Sequence, residues 1–211
     1  YQPARNENHY PFGQWEATSI HVPTVYYDGT DDCEVTGVVC ANDLATVTLE
    51  TNEMGKNIKQ VTGRLLTSWN NKGYGDFDPD FSGNVILKAA HITALGYPQA
   101  HDGGAKMMRS DSIGFQTTPN NVVMGSAATG GSSGGPWIQN FGNASSYAGT
   151  TTNYSQGNRI AAVTSWGYTS DNIKVQGSSR FGHNVMFPKG GNTNIKAVMT
   201  AACEFDASKC G

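Results

Sequence analysis

Gly130-Gly131-Ser132-Ser133-Gly134-Gly135-Pro136-Trp137 carries more information than any other stretch of this 211-residue chain. Its glycines permit φ > 0 and let backbone N–H groups approach a bound molecule closely, as an oxyanion hole requires. A serine alone is a poor nucleophile. If Ser133 attacks, the fold must supply a base and an acid that orients it.

Composition limits where such a loop can sit. The chain is 37% hydrophobic and 15% charged, enough for one or two packed units. Its 26 glycines, with many Ser, Thr and Asn, favour short strands joined by turns. A net charge of -3 offers no attraction to nucleic acid or anionic membranes, and neither is expected as a partner. No apolar run approaches the ~18 residues that span a bilayer, so a soluble chain is expected. The start at Tyr1, without Met or a leader, suggests a processed product.

The four cysteines form two local pairs, Cys33 with Cys40 and Cys203 with Cys210. Two small disulfide loops and an oxidising, extracellular setting follow from that arrangement. Zinc is the competing use of such cysteines, but neither a CxxC spacing nor a histidine pair accompanies them. Asn143-Ala144-Ser145 and Asn153-Tyr154-Ser155 are glycosylation sequons in the Asn-, Ser- and Thr-rich segment 142–158, which reads as one long hairpin loop.

Strand-like composition dominates the rest. Residues 16–25, 44–49, 63–69, 85–94, 106–113, 122–124, 160–166 and 181–187 are rich in β-branched and aromatic side chains and are separated by turn signals. A helix is expected over 193–202, with apolar residues at Ile195, Val198, Met199 and Ala202. The pattern is all-β with a C-terminal helix. The polar stretch 53–60 is the best boundary, dividing the chain into 1–55 and 56–211.

Asp43 stands directly before the apolar β-type run Leu44-Ala45-Thr46-Val47-Thr48-Leu49. A lone acid there is ordinarily a turn residue that starts a strand. Positions 43 and 133 are 90 apart, however, against about 93 between acid and serine in the Ser-His-Asp template. With the serine loop and Arg159-Ile160-Ala161-Ala162-Val163-Thr164-Ser165-Trp166-Gly167, the chain resembles the C-terminal three quarters of a secreted trypsin-like, chymotrypsin-fold serine peptidase. Leu95-Gly96-Tyr97-Pro98 and the opening through Pro11-Phe12-Gly13-Gln14-Trp15 resemble the bacterial and fungal glutamyl-endopeptidase-like branch.

The resemblance implies a chymotrypsin-like double β-barrel, the first barrel incomplete in 1–55 and the second carrying the nucleophile. It implies Ser133 and Asp43 as catalytic residues, with the N–H groups of Gly131 and Ser133 as the oxyanion hole. Ser165 would bond the acid, Ser165-Trp166-Gly167 would pair with a polypeptide substrate, and Ala127 and Thr164 would line its side-chain pocket. Ala127 stands where trypsin has its pocket-base Asp, so a basic side chain is not expected there; a small or polar-neutral one is. Ser132 replaces the Asp that pairs with a freed N-terminus in trypsin. No metal or organic cofactor is implied.

The base is missing. The template puts it about 45 residues before the acid, ahead of Tyr1. His9 and His21 lie 34 and 22 residues before Asp43, without the expected Ala-His-Cys context. His91 follows the acid, and His101 and His183 have no better claim. A companion N-terminal segment carrying the histidine is therefore expected, held non-covalently or by a disulfide. The competing reading is a non-catalytic homologue that keeps the fold as a secreted binding module. An α/β-hydrolase esterase fits less well, because Asp43 precedes Ser133.

Overall fold

Large apolar residues recurring at every second position of short strands build a closed barrel. In β4 (Ala89–Gly96) these are Ile92 and Ala94, and in β6 (Asn121–Gly125) they are Val122 and Met124. With Trp137 and Ala162 they form one buried cluster, because alternate residues of a strand face the same side. The computed structural model describes residues 1–31, 33, 40–67, 89–118, 121–139, 141–142, 158–170 and 172–210.

The barrel also contains β5 (Met108–Thr118), β7 (Pro136–Gln139), β8 (Arg159–Gly167) and β9 (Val175–Arg180). Its six antiparallel strands run in the order β4-β5-β6-β9-β8-β7 and return to β4. Closure leaves no open edge within the ring. Outside it, the short β3 (Leu66–Thr67) runs parallel to β8. A separate sheet pairs β1 (Ala17–His21) with β2 (Thr46–Leu49).

Helix α3 (Asn194–Phe205) covers this architecture and packs against both β1 and β2. The Thr193 side chain caps it by accepting from Lys196 N at 3.3 Å. Its buried Ile195 and Val198 join Leu44, beside the acid, and Phe181 in a second cluster that links helix, acid loop and barrel. The chymotrypsin-like arrangement expected from the sequence is present: a closed barrel, a second and smaller sheet, and a C-terminal helix. Both expected disulfides are formed, Cys33–Cys40 and Cys203–Cys210.

Several local expectations are corrected. The strand expected through residue 25 stops at His21, because Pro23 has no N–H for a ladder and opens the short helix α1 (Thr24–Tyr27). The polar stretch 53–60 leads into helix α2 (Ile58–Thr62), started by a capping box between Asn57 and Gln60. Residues 181–187 are not a strand. Asn184 Oδ1 accepts from the N–H groups of Met186 and Phe187 and curls them into a turn.

The strand that closes the barrel lies earlier, at β9. Its sequence Val175-Gln176-Gly177-Ser178-Ser179-Arg180 has one apolar residue, and smallness there makes room for a neighbour. A Cβ on Gly177 would run into the Trp166 indole. Four-residue β7 was also hidden in the sequence. The expected hairpin segment 142–158 joins the antiparallel strands β7 and β8, and Gly142 N–H donates to Asn158 Oδ1 at 2.9 Å. Its sequons, Asn143 and Asn153, lie outside the described residues, as do 68–69 and 85–88 of two expected strands.

Candidate active site

Two loops meet on consecutive residues of β8. The serine loop is fastened to Thr164, with Gly134 N–H donating to Thr164 O at 2.8 Å and Thr164 N–H donating to Gly135 O at 2.9 Å. The acid is fastened to the next residue, with Ser165 Oγ donating to Asp43 Oδ2 at 2.7 Å. The β8–β9 register shifts between Thr164 and Trp166, which leaves Ser165 as the extra residue of a bulge. A bulge re-aims a side chain out of its regular alternation, and here it turns the serine hydroxyl to the carboxylate.

Within the serine loop, Gly131 has φ +95° and Gly134 φ +77°, conformations that a side chain strains. A Cβ on Gly131 would also stand 2.5 Å from Tyr97 O. The Ser132 hydroxyl turns inward to donate to Thr129 O at 2.7 Å, while Ser133 is exposed at the turn. The N–H groups of Gly131 and Ser133 make no hydrogen bond to any described residue. Both donors are available to an incoming oxygen, as an oxyanion hole needs.

The acid rests on a buried polar hub, its neighbour Asn42. Asp31 accepts from Asn42 N at 2.8 Å and from Asn42 Nδ2 at 2.6 Å. In turn Asn42 Oδ1 accepts from Asn184 Nδ2 at 2.7 Å and from Asn194 Nδ2 at 3.1 Å. Asn194 begins α3, so the acid loop is tied to the helix and to the turn after β9. The Cys33–Cys40 disulfide closes the loop between Asp31 and Asn42. Tyr26, on α1, lies against the acid: the negative charge of Asp43, then a hydrogen bond to its carboxylate, then burial and the charge of Asp31, raise the phenol above its ordinary range.

A cavity of about 430 Å³ opens beside Ser133. The residues expected to bind substrate, Ala127, Thr164, Ser165, Trp166 and Gly167, all line it, with Gln176 from β9. No histidine does. Instead His21 Nε2 lies 2.9 Å from Ser19 Oγ, His91 Nε2 lies 4.0 Å from Asp111, and His183 Nδ1 lies 3.0 Å from Phe187 O. His9 pairs through its backbone with Asn6, and His101 opens a tight turn. None of the five contacts Asp43 or Ser133 among the described interactions. Sequence reasoning missed Tyr26, Asn42 and Gln176. Each is an ordinary residue in an ordinary context, and only its neighbours in space single it out.

Solved structures share this fold. A protease, Anisep, from Arthrobacter nicotinovorans superposes with a TM-score of 0.59 at 18% identity, covering 96% of this chain and 73% of that one. This is the trypsin-like serine peptidase fold. A thermostable serine protease, AL20, from an extremophilic microorganism gives a TM-score of 0.58 at 22% identity, over 85% of this chain and 68% of its own. A Glu endopeptidase gives 0.52 at 16%, over 98% and 70%. No protein-family profile matches the chain, and no curated protein does. At these identities the likeness is one of fold, and the trypsin-like framework is what this chain shares with the three enzymes.

Proposed function

We propose that this chain is the serine-bearing part of a secreted endopeptidase. Ser133 attacks the scissile carbonyl of a polypeptide, and the N–H groups of Gly131 and Ser133 receive the developing oxyanion. A histidine takes the serine proton and returns it to the leaving amine. Asp43 orients that histidine and stabilises its charged form. The two disulfides fit an oxidising, extracellular setting.

One observation carries this reading. Adjacent residues of β8, Thr164 and Ser165, hold the serine loop and the acid, and both line the cavity beside Ser133. A structural role alone gives no reason for two free N–H groups beside an exposed serine.

The histidine is assigned to a segment outside these 211 residues. All five histidines of the chain are engaged away from Asp43 and Ser133, or lie off the cavity. Ile20 and Val47, on the β1–β2 sheet, are 68% and 49% exposed and offer such a segment an apolar seat. The missing base also suits a binding module that has lost catalysis, and one experiment separates the readings. A fluorophosphonate probe labels only an activated serine. Labelling of the native protein, its loss in Ser133→Ala, and a histidine-bearing companion peptide in native mass analysis support the peptidase. A lone 22.5 kDa chain that never labels overturns it.

A further inference from the structure

Gln176 is 3% exposed, yet its side-chain amide makes no hydrogen bond to any described residue. It lines the cavity beside Ser133. Across the β8–β9 ladder it stands opposite Gly167, which has no side chain to cover it. The amide is not sealed off: it faces the cavity's solvent, and a ligand that displaces that water loses affinity unless it replaces the hydrogen bonds.

Thr164 supplies a second group. It is 5% exposed and its Oγ1 accepts the Trp137 indole N–H at 2.9 Å, leaving its own hydroxyl proton to donate. Thr164 and Gln176 both line the cavity, and none of its lining residues is a buried charged one. Lys174 is the charged residue among those lining it, and it is exposed to solvent at the rim, where an ion pair contributes little. A carboxylate drawn inside would lose its hydration without a buried cation. An apolar side chain would leave the Gln176 amide unpaired. A carboxamide meets both demands, accepting from and donating to Gln176 at once.

Resting on the peptidase reading, we propose that Gln176 is the specificity-determining residue of the cavity and that the residue whose carbonyl Ser133 attacks is glutamine or asparagine. Sites built on buried hydrogen-bonding groups discriminate strongly against analogues that cannot pair with them.

The test does not require turnover. The peptides acetyl-Ala-Ala-Gln, acetyl-Ala-Ala-Glu and acetyl-Ala-Ala-Leu, each with a free carboxylate, are titrated into the native protein by calorimetry. The glutamine peptide is expected to bind at least ~10-fold more tightly than either of the others. Gln176→Met keeps the volume and removes the amide; it is expected to erase that preference, weakening the glutamine peptide and strengthening the leucine peptide, which no longer leaves an amide unpaired. Equal binding of the three peptides, or tightest binding of the glutamate or leucine peptide, overturns the proposal, and the wild-type ranking alone decides this if the variant does not fold. A clear glutamine preference without fluorophosphonate labelling overturns the peptidase reading and leaves the cavity assignment standing.

Discussion

The Ser165 hydroxyl donates to Asp43 Oδ2 over 2.7 Å, joining residues 122 positions apart in the chain. The contact is made by a bulge in β8, next to the residue that holds the serine loop. A single register shift thus sets the acid relative to the nucleophile. Removing the hydroxyl in Ser165→Ala is expected to cost about 1.5 kcal/mol, the range for a hydrogen bond to a charged group. Urea denaturation measures that loss. Fluorophosphonate labelling should slow about tenfold, and an unchanged rate would separate Ser165 from the chemistry.

Gly135 meets a tighter constraint than its neighbour Gly130. A Cβ on Gly135 would overlap Leu95 O, whereas one on Gly130 has nothing within 4 Å. Gly135→Ala is expected to destabilise the protein by about 2 kcal/mol and to suppress labelling, while Gly130→Ala stays within ~0.5 kcal/mol. Thermal unfolding of the pair checks the contrast.

Asn42 is fully buried, with partners on three separate segments. Asn42→Ala takes one donor from Asp31, which keeps the backbone N–H of residue 42, and removes the oxygen that accepts from Asn184 and Asn194, the latter keeping Arg180 O, at a cost of about 2 kcal/mol. Because Asn42 precedes Asp43, labelling should fall as well, by more than the unfolded fraction accounts for.

Tyr26 tests the field around the acid. The Asp43 carboxylate holds its phenol in the neutral form above the ordinary tyrosine value of about 10. A group raised in the folded state stabilises it fully below the unfolded value and loses that contribution as pH rises through the folded one. Absorbance titration should show two of the described tyrosines ionising late: Tyr97, raised chiefly by burial, and Tyr26 as a separate component. The Tyr26 component should be absent in both Tyr26→Phe and Asp43→Asn, and its survival in the latter would assign the shift to another cause.

The two disulfides close loops of equal length, with a sequence separation of 7 in each. Chain entropy puts each at about 2.5 kcal/mol. The Cys33→Ser/Cys40→Ser protein should lose stability and label slowly, since that loop feeds Asp31 and Asn42. The Cys203→Ser/Cys210→Ser protein should lose stability at the end of α3 and label normally once folded.

Much of the framework was readable because its signals are local. A glycine-rich loop, cysteines seven residues apart and a capped amphipathic helix announce themselves within about a dozen residues, since glycine conformations, loop closure and helix periodicity are properties of short segments. The sequence alone therefore determined the strand-rich class, the C-terminal helix, the disulfide pairs and the candidates Ser133 and Asp43. Elsewhere it misled. Apolar composition marked 181–187 as a strand and passed over β9, whose small residues make sense only beneath Trp166. Tertiary structure decided the barrel closure, the bulge that aims Ser165, the hub at Asn42 and the open amide of Gln176. Each depends on a partner from another part of the chain, and hydrogen-bond satisfaction between distant segments leaves no pattern in either segment alone.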